Sequence, residues 1–339
     1  MLILSNSLTA NADEGSLKLA TSLVKRIQRV CTDAKIISFE REYPQSDMHI
    51  TLNKFHISKQ LISLIKKERE TVLYIPFPAP TLSMALRVKI LSLFAGRKLK
   101  VMMIRQFQMG RLARFLLKRS KAQLVVFSKK ANDFYGKMIG THRVDYIKTG
   151  VDTTQFVPVG DAEKKQLKVK HGFDPQKPLV LHVGHMKEGR NVGQLLKISD
   201  QYQVLLVIST LSKERQSEEL RQRLEQGNVR VMDEYIPAIQ EIYQMADMYF
   251  FPVLQEGHCI DVPLSCLEAA ACNLPVVTTD YGEMSELINR EGFYFLESLD
   301  AAYIDRCLQN ALHCGVDTRK TAKEYDWNNA IEQMLKRRK

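Results

Sequence analysis

The chain has 339 residues, 45% of them hydrophobic, and a formal net charge of +11. That length suffices for two α/β domains with full cores, and the absence of any run of about 18 uninterrupted apolar residues excludes a membrane-spanning helix. The charge is unevenly divided: residues 1–158 hold 27 Lys and Arg against 11 Asp and Glu, or +16, while residues 159–339 hold 22 against 27, or −5. Such a split assigns an anionic partner to the first half, whether a membrane surface, a phosphorylated lipid, an acidic polymer or nucleic acid. The start MLILS passes straight into polar residues without a basic region or cleavage site, which predicts a cytoplasmic protein, peripheral at most on the inner face of the cell membrane. Cys31, Cys259, Cys266, Cys272, Cys307 and Cys314 form no CxxC pair or metal-finger spacing, so they read as reduced structural thiols.

In chain order, residues 2–4 predict a first strand, and Ser16 caps a helix over 17–30. Apolar runs at 35–39, 71–77, 99–104 and 123–127 alternate with helical patterns at 58–69, 79–96, 108–119 and 129–139. Alternation at this spacing predicts a parallel sheet covered on both faces. The helices carry Arg87, Lys89, Arg97, Lys98, Arg111, Arg114, Lys118 and Arg119 among Leu91, Leu93, Phe94, Leu112, Phe115 and Leu116. These cations read either as solvated charges or as a face held against anionic lipid. Arg105 and Gln106 follow the strand at 101–104, and His49 and His56 are the nearby histidines.

A strand at 144–147 precedes TGVDTTQFVP, residues 149–158, where Gly150 supplies a turn and Phe156 an anchor. The polar stretch 160–177 reads as a linker. A strand at 179–183 then enters GHMKEGRN, residues 184–191. Glycines and cations between a strand and a helix suit a phosphate: Gly184 offers its amide, Arg190 two donors in a fork, Lys187 a charge, and His185 a charge when protonated. Strands at 202–209 and 229–232 flank a charged helix at 213–225, and the second strand exits at Asp233, Glu234, Tyr235 and Ile236. Phe250, Phe251 and Val253 make a buried strand that leaves at Pro252 into a loop carrying Glu256, Gly257 and Asp261. A helix over 263–272 bears one charge, Glu268; Asn273 and Pro275 stop it, Val276 and Val277 restart a strand, and Gly282 opens the next loop. Ligands of open parallel sheets gather at the carboxyl ends of strands, where Glu256, Asp261, Glu268, Asp280 and Gly282 fall.

The stretches Glu256-Gly257, Leu267-Glu268-Ala269 and Pro275-Val276-Val277, the segment at 149–158 and the run 241–252 resemble the retaining glycosyltransferases of the GT-B fold, in particular the GT4-like family of group 1 glycosyl transferases. That family separates its two glutamates by seven residues, whereas eleven separate Glu256 from Glu268. Either the loop is longer and Glu256 keeps the role, or Asp261 has taken it; Asp261 is favoured because it lies nearer the helix start.

The resemblance implies an α/β protein of two Rossmann-like domains with parallel sheets facing a central cleft. Residues 1–158 are then an acceptor-binding domain, 159–177 a linker, 178–318 a nucleotide-sugar-binding domain, and 319–339 a C-terminal helix returning to the first domain, with Trp327 as packing anchor. It implies transfer of a sugar from a nucleotide-diphosphate donor to a glycan or lipid-linked acceptor, with anomeric retention, no metal and no further cofactor. Arg190, Lys187, His185 and Gly184 would hold the diphosphate, Tyr235 and Ile236 the base through their main chain, Glu268 the ribose, and Asp261 or Glu256 with Gly257 the sugar. Arg105, Arg111, Arg114, Lys118 and Arg119 are assigned to the acceptor or membrane side. An epimerase or phosphorylase of the same fold is the near alternative, and a nucleic-acid or anionic-surface binder the distant one, although no RNA-recognition or zinc module is present. A dehydrogenase is disfavoured because no GxGxxG follows a strand.

Overall fold

The computed structural model describes residues 1–335 except 7, 10–13, 40–42, 54–57, 77–80, 106–107, 209–217 and 288. His56 and Gln106, the first residues of the 79–96 pattern and part of the 213–225 pattern lie outside the described residues. The chain divides into two compact units, one of Met1–Ala12, Ser16–Thr149 and Ala330–Lys339, the other of Asp13–Gly15 and Gly150–Asn329. No described helix is long and apolar enough to cross a membrane.

The first unit runs β1 (Leu2–Ser5), α1 (Gly15–Val30), β2 (Lys35–Ser38), β3 (Met48–His49), α2 (Lys59–Lys67), β4 (Val72–Ile75), α3 (Leu82–Ala95), β5 (Leu99–Met103), α4 (Arg111–Arg119), β6 (Gln123–Val126), α5 (Lys129–Ile139) and β7 (Val144–Tyr146). Its sheet has the order β3-β2-β1-β4-β5-β6-β7, with parallel pairing throughout. Strands such as VLYI and QLVV are buried on both sides because helices cover both faces, which is why they are nearly continuous apolar runs. Thr81 and Ser128 cap α3 and α5, accepting from Met84 N at 3.2 Å and Ala131 N at 3.0 Å. Ser16 lies inside α1 rather than capping it. The edge strand β3 was not foreseen; it is two residues long, and His49 Nδ1 lies 3.0 Å from Ser38 Oγ, a local structural tie.

Arg87 and Arg143 are structural cations of this unit. Arg87 is 3% exposed and donates from Nη1 to the Tyr74 hydroxyl at 3.0 Å, which corrects its assignment to the surface set. Arg143 fastens the end of α4, donating to the carbonyls of Leu117, Lys118 and Ala122.

The second unit runs α6 (Asp161–Lys170), β8 (Leu179–Gly184), β9 (Gln203–Ile208), α7 (Glu218–Gln226), β10 (Val229–Met232), α8 (Ile239–Met245), β11 (Met248–Phe251), α9 (Leu264–Ala271), β12 (Val276–Thr278), β13 (Phe293–Phe295), α10 (Ala301–His313) and α11 (Thr318–Glu324), before the terminal α12 (Trp327–Leu335). Its sheet order is β10-β9-β8-β11-β12-β13, again parallel. Two parallel α/β sheets of seven and six strands meet the fold expectation. The chain order reverses direction between β8 and β11, and the carboxyl ends of those strands are where such sheets open a ligand crevice.

Three expectations change here. The stretch 159–177 is built into the second unit: α6 occupies it, and buried Lys168 donates to Asp247 Oδ2 at 2.6 Å and to the Lys177 carbonyl at 2.9 Å. The expected C-terminal helix 319–339 is two helices, α11 and α12, and only Ala330–Lys339 cluster with the first unit, where Lys100 Nζ donates to Met334 O at 3.0 Å. Gly150 is required by close approach, since a Cβ there would strike the Trp327 ring, rather than by a turn conformation.

Asp247 also accepts from Lys164 at 3.3 Å and from the Leu179 amide at 2.8 Å. Asp247→Ala leaves the Lys168 ammonium buried without its counter-charge, and loss of one partner of such a pair costs about 3–5 kcal/mol. Urea unfolding should show that loss as a lower midpoint at unchanged slope.

Candidate functional site

Three loops of the second unit converge at the carboxyl ends of β8, β11 and β12. After β8 the chain makes a tight 3-10 turn, Glu188–Arg190, closed by Arg190 N donating to Lys187 O at 2.9 Å and Asn191 N to Glu188 O at 2.7 Å. Asn191 takes the left-handed conformation at φ 56°, which asparagine tolerates better than most residues, and its Nδ2 donates to the Pro252 carbonyl at 3.0 Å. That bond ties the loop after β8 to the exit of β11. The same two loops meet again where His258 lies against Gly189, since a Cβ on Gly189 would overlap the imidazole.

The turn places Arg190 inward. Its side chain is 5% exposed, its Nε is buried with no hydrogen-bond partner among the described residues, and no carboxylate there pairs with it. Arg190 Nη1 lies 3.2 Å, and His182 Nε2 3.0 Å, from the point that a Cβ on Gly184 would occupy, so glycine is what lets both groups approach the strand end. A guanidinium cannot shed its proton to escape burial, so an unpartnered one stores a demand for an anion. His185 is buried beside this turn and Lys187 half-buried.

After β11, the loop acids differ in how they are held. Glu256 and Gly257 are exposed, whereas Asp261 is half-buried and its carbonyl accepts from Glu283 N at 2.8 Å. Gly282 makes that contact possible: it sits at φ 63°, and a side chain there would collide with the Asp261 backbone. Tyr281 closes the clamp, donating its hydroxyl to Cys259 O at 2.8 Å and accepting from Cys259 N at 2.9 Å. Burial pushes this phenol up to about 12, so it stays a neutral donor. Tyr281 lies near enough to both Asp261 and Arg190 to feel their charges.

α9 starts after Pro263 and is buried along almost its whole length, Ser265 being half-buried. Its one charge, Glu268, is buried and accepts the Tyr243 hydroxyl at 2.7 Å. Burial, then Glu268, drives that phenol well above its ordinary range, leaving Tyr243 a permanent donor to the carboxylate. Tyr235 and Ile236 follow β10 at the edge of the sheet, Tyr235 exposed and Ile236 half-buried. In the first unit, Arg111, Arg114, Lys118 and Arg119 are exposed on α4, and Arg105 is half-buried with its carbonyl accepting from Tyr135 Oη at 2.9 Å.

The structure thus groups Arg190, Gly184 and the segment carrying Asp261. Sequence reasoning missed His182, Asn191, His258, Tyr243 and Tyr281. Only Asn191 carried a signal, being a left-handed-tolerant residue directly after a glycine-cation turn; the others act through contacts distant in sequence.

Residues 177–312 match the family described as "Glycosyl transferases group 1". The chain is 26% identical over 221 residues to an alpha-maltose-1-phosphate synthase of Mycolicibacterium smegmatis, covering 57% of this chain and 56% of that one. It is 25% identical over 184 residues to the Mycobacterium tuberculosis enzyme of the same name, covering 50% and 46%. The chain therefore spans about half the length of the curated relatives it matches. Among solved structures, Anabaena Alr3699/HepE in complex with UDP-glucose superposes with a TM-score of 0.75 at 14% identity, over 98% of both chains. Sucrose-phosphate synthase of Thermosynechococcus elongatus gives 0.71 at 16% identity over 98% and 97%, and the lipopolysaccharide glycosyltransferase WaaG 0.66 at 14% over 98% of both. The fold is that of the GT-B glycosyltransferases.

Burial holds the His182 imidazole down to about 4 against its ordinary 6.5, opposed by the hydrogen bond to the Phe250 carbonyl and aided by the nearby Arg190 charge. Between those values the unfolded chain binds a proton that the folded chain refuses, so stability is full above about pH 6.5 and falls on the order of 3 kcal/mol as pH drops to 4. Chemical denaturation across that range should show the decline, and His182→Gln should remove this share of it.

Proposed function

We propose, with the group 1 match of residues 177–312 as premise, that this protein is a retaining, GT4-type glycosyltransferase. It moves a sugar from a nucleotide-diphosphate donor to a glycan or lipid-linked acceptor, in the synthesis of a cell-surface polysaccharide or glycolipid. The observation that carries the reading is Arg190, a cation enclosed at the strand-order reversal whose Nε has no partner among the described residues. A diphosphate supplies the missing charge, and two of its oxygens suit the forked guanidinium.

In this reading the protein's work is electrostatic. As the bond between the sugar and the diphosphate breaks, negative charge grows on the leaving oxygen. Arg190, with Lys187, His185 and the Gly184 amide, meets that charge from a site already organised for it, without metal or further cofactor. Glu268, braced by Tyr243, takes the ribose hydroxyls, and Tyr235 with Ile236 borders the base. Asp261 takes the sugar hydroxyls: Glu283 N holds its carbonyl and Tyr281 anchors Cys259 two residues before it, whereas Glu256 stands exposed. No protein nucleophile is assigned.

A thermal-shift panel of nucleoside diphosphates and their sugars tests the donor class, because ligand binding to the folded state raises apparent stability. With the donor found, Arg190→Ala should lower kcat about 10²-fold or more, and Arg190→Lys less. Asp261→Asn should lower kcat more than Glu256→Gln. Wild-type rates in both Arg190 variants would make the 184–191 turn structural only. Epimerised donor without acceptor, or strict dependence on phosphate, would point to the epimerase or phosphorylase instead.

The partner of the basic half is an anionic membrane bearing the acceptor. Leu82, Leu86 and Leu93 are exposed along one side of α3, with Leu93 at 66%, and α4 exposes Leu112 and Phe115, the latter at 54%. Arg111, Arg114, Lys118 and Arg119 are exposed on α4 with Leu112 and Phe115, Arg119 lying 5.5 Å from the Phe115 ring centre. Phe94 and Leu116, expected on this face, instead pack partly buried against the core. Each cation near an anionic surface contributes about 1 kcal/mol, screened beyond about 8 Å at physiological salt. Co-sedimentation should favour anionic over neutral vesicles, weaken as salt rises, and drop when Arg111, Arg114, Lys118 and Arg119 are changed to Gln. Equal binding to both vesicle types, or to neither, would reject the membrane.

A further inference from the structure

His182 lies on β8, two residues before Gly184, and is fully buried. Its Nδ1 is 2.8 Å from the Phe250 carbonyl oxygen. A carbonyl only accepts, so the ring proton of the neutral imidazole is on Nδ1 and Nε2 keeps a bare lone pair. Nε2 is buried with no hydrogen-bond partner among the described residues. The ring is aligned with Tyr249 and Phe251, at interplanar angles of 13° and 20°. It therefore has little freedom to turn its lone pair elsewhere.

Across the space left by the missing side chain of Gly184 lies the Arg190 guanidinium, whose Nε is equally unpartnered. An acceptor without a donor and a cation without an acceptor thus face one small volume. Each is costly alone, and a native structure that keeps both calls for an account. A carboxylate in place of His182 would neutralise the cation and compete with a phosphate for it. A neutral imidazole accepts one N–H and leaves the charge available. Burial keeps this ring neutral, so it does not become a second cation under Arg190 at ordinary pH.

We infer that His182 is a positioning residue: when Arg190 closes on a diphosphate, one N–H of its guanidinium is donated to His182 Nε2, which sets the plane in which the remaining N–H groups meet the oxyanion. The inference rests on the diphosphate reading of the site. His182, fully buried, acts only through Arg190.

The test is calorimetric titration of uridine diphosphate, guanosine diphosphate and inorganic pyrophosphate into the full-length wild type, His182→Phe, His182→Gln, Arg190→Ala and the double variant His182→Phe/Arg190→Ala. His182→Phe should weaken diphosphate and pyrophosphate binding about tenfold, the scale of a hydrogen bond to a charged group. His182→Gln, which returns an acceptor near the Nε2 position, should recover most of that loss. In the Arg190→Ala background His182→Phe should have no further effect. Wild-type affinity in His182→Phe, or an equal loss with and without Arg190, overturns the inference. Pyrophosphate binding with this pattern, but no nucleoside diphosphate binding, leaves the inference standing and rejects the nucleotide-sugar donor; no binding of any of the three overturns both. Should His182→Phe fail to fold, wild type labelled with 15N-histidine decides. Its His182 Nε2 resonance should move upfield as pyrophosphate is added, and an unmoved resonance overturns the inference.

Discussion

A guanidinium enclosed with no counter-charge among the described residues is the constraint on which the candidate site of the second unit depends. Arg190 reaches that position because the turn Glu188–Arg190 is closed by its own backbone bonds, and because Asn191 ties it to Pro252 at the exit of the neighbouring strand. Gly184 leaves room for the cation at the end of β8. Each arrangement lowers the freedom of the Arg190 side chain. The ordering cost is then met during folding rather than during binding.

The same logic separates the two loop acids. Asp261 is carried on a backbone held by Tyr281 and Glu283, with Gly282 allowing the close approach, while Glu256 stands on the exposed part of the loop. A carboxylate on a clamped backbone has fewer positions open to it than one on an exposed turn. Glu268 is the third case, a buried carboxylate on a helix with a phenol permanently donating to it. Its environment is built before any ligand arrives.

The first unit divides its excess of positive charge between structure and surface. Arg87 and Arg143 are consumed internally, one by a buried phenol and the other by the Leu117 and Lys118 carbonyls at the end of α4 and by Ala122 O beyond it. The cations of α4 stay exposed beside Leu112 and Phe115. Counting charge along the chain does not separate these uses, since the two kinds of arginine occur within the same stretch of sequence.

Periodicity and turn chemistry act over a few residues, and so the sequence by itself determined the alternation of strands and helices, the parallel sheets, the glycine-cation turn at 184–191, and the placing of Glu268 on a buried helix. The resemblance named the chemistry on those same local motifs. Short elements with weak patterns escaped it: β3 and β13 are two and three residues long, and α6 was hidden in a charged stretch whose one buried cation, Lys168, pairs with Asp247 across 79 positions. Only the tertiary structure decided which arginine is buried, why Gly150 must be glycine, and that His182 Nε2, without a partner among the described residues, lies beside Gly184 with Arg190. These depend on contacts between residues far apart in the chain, such as His182 with Phe250 and Gly150 with Trp327, and burial is a property of the assembled core that no local pattern of residues records.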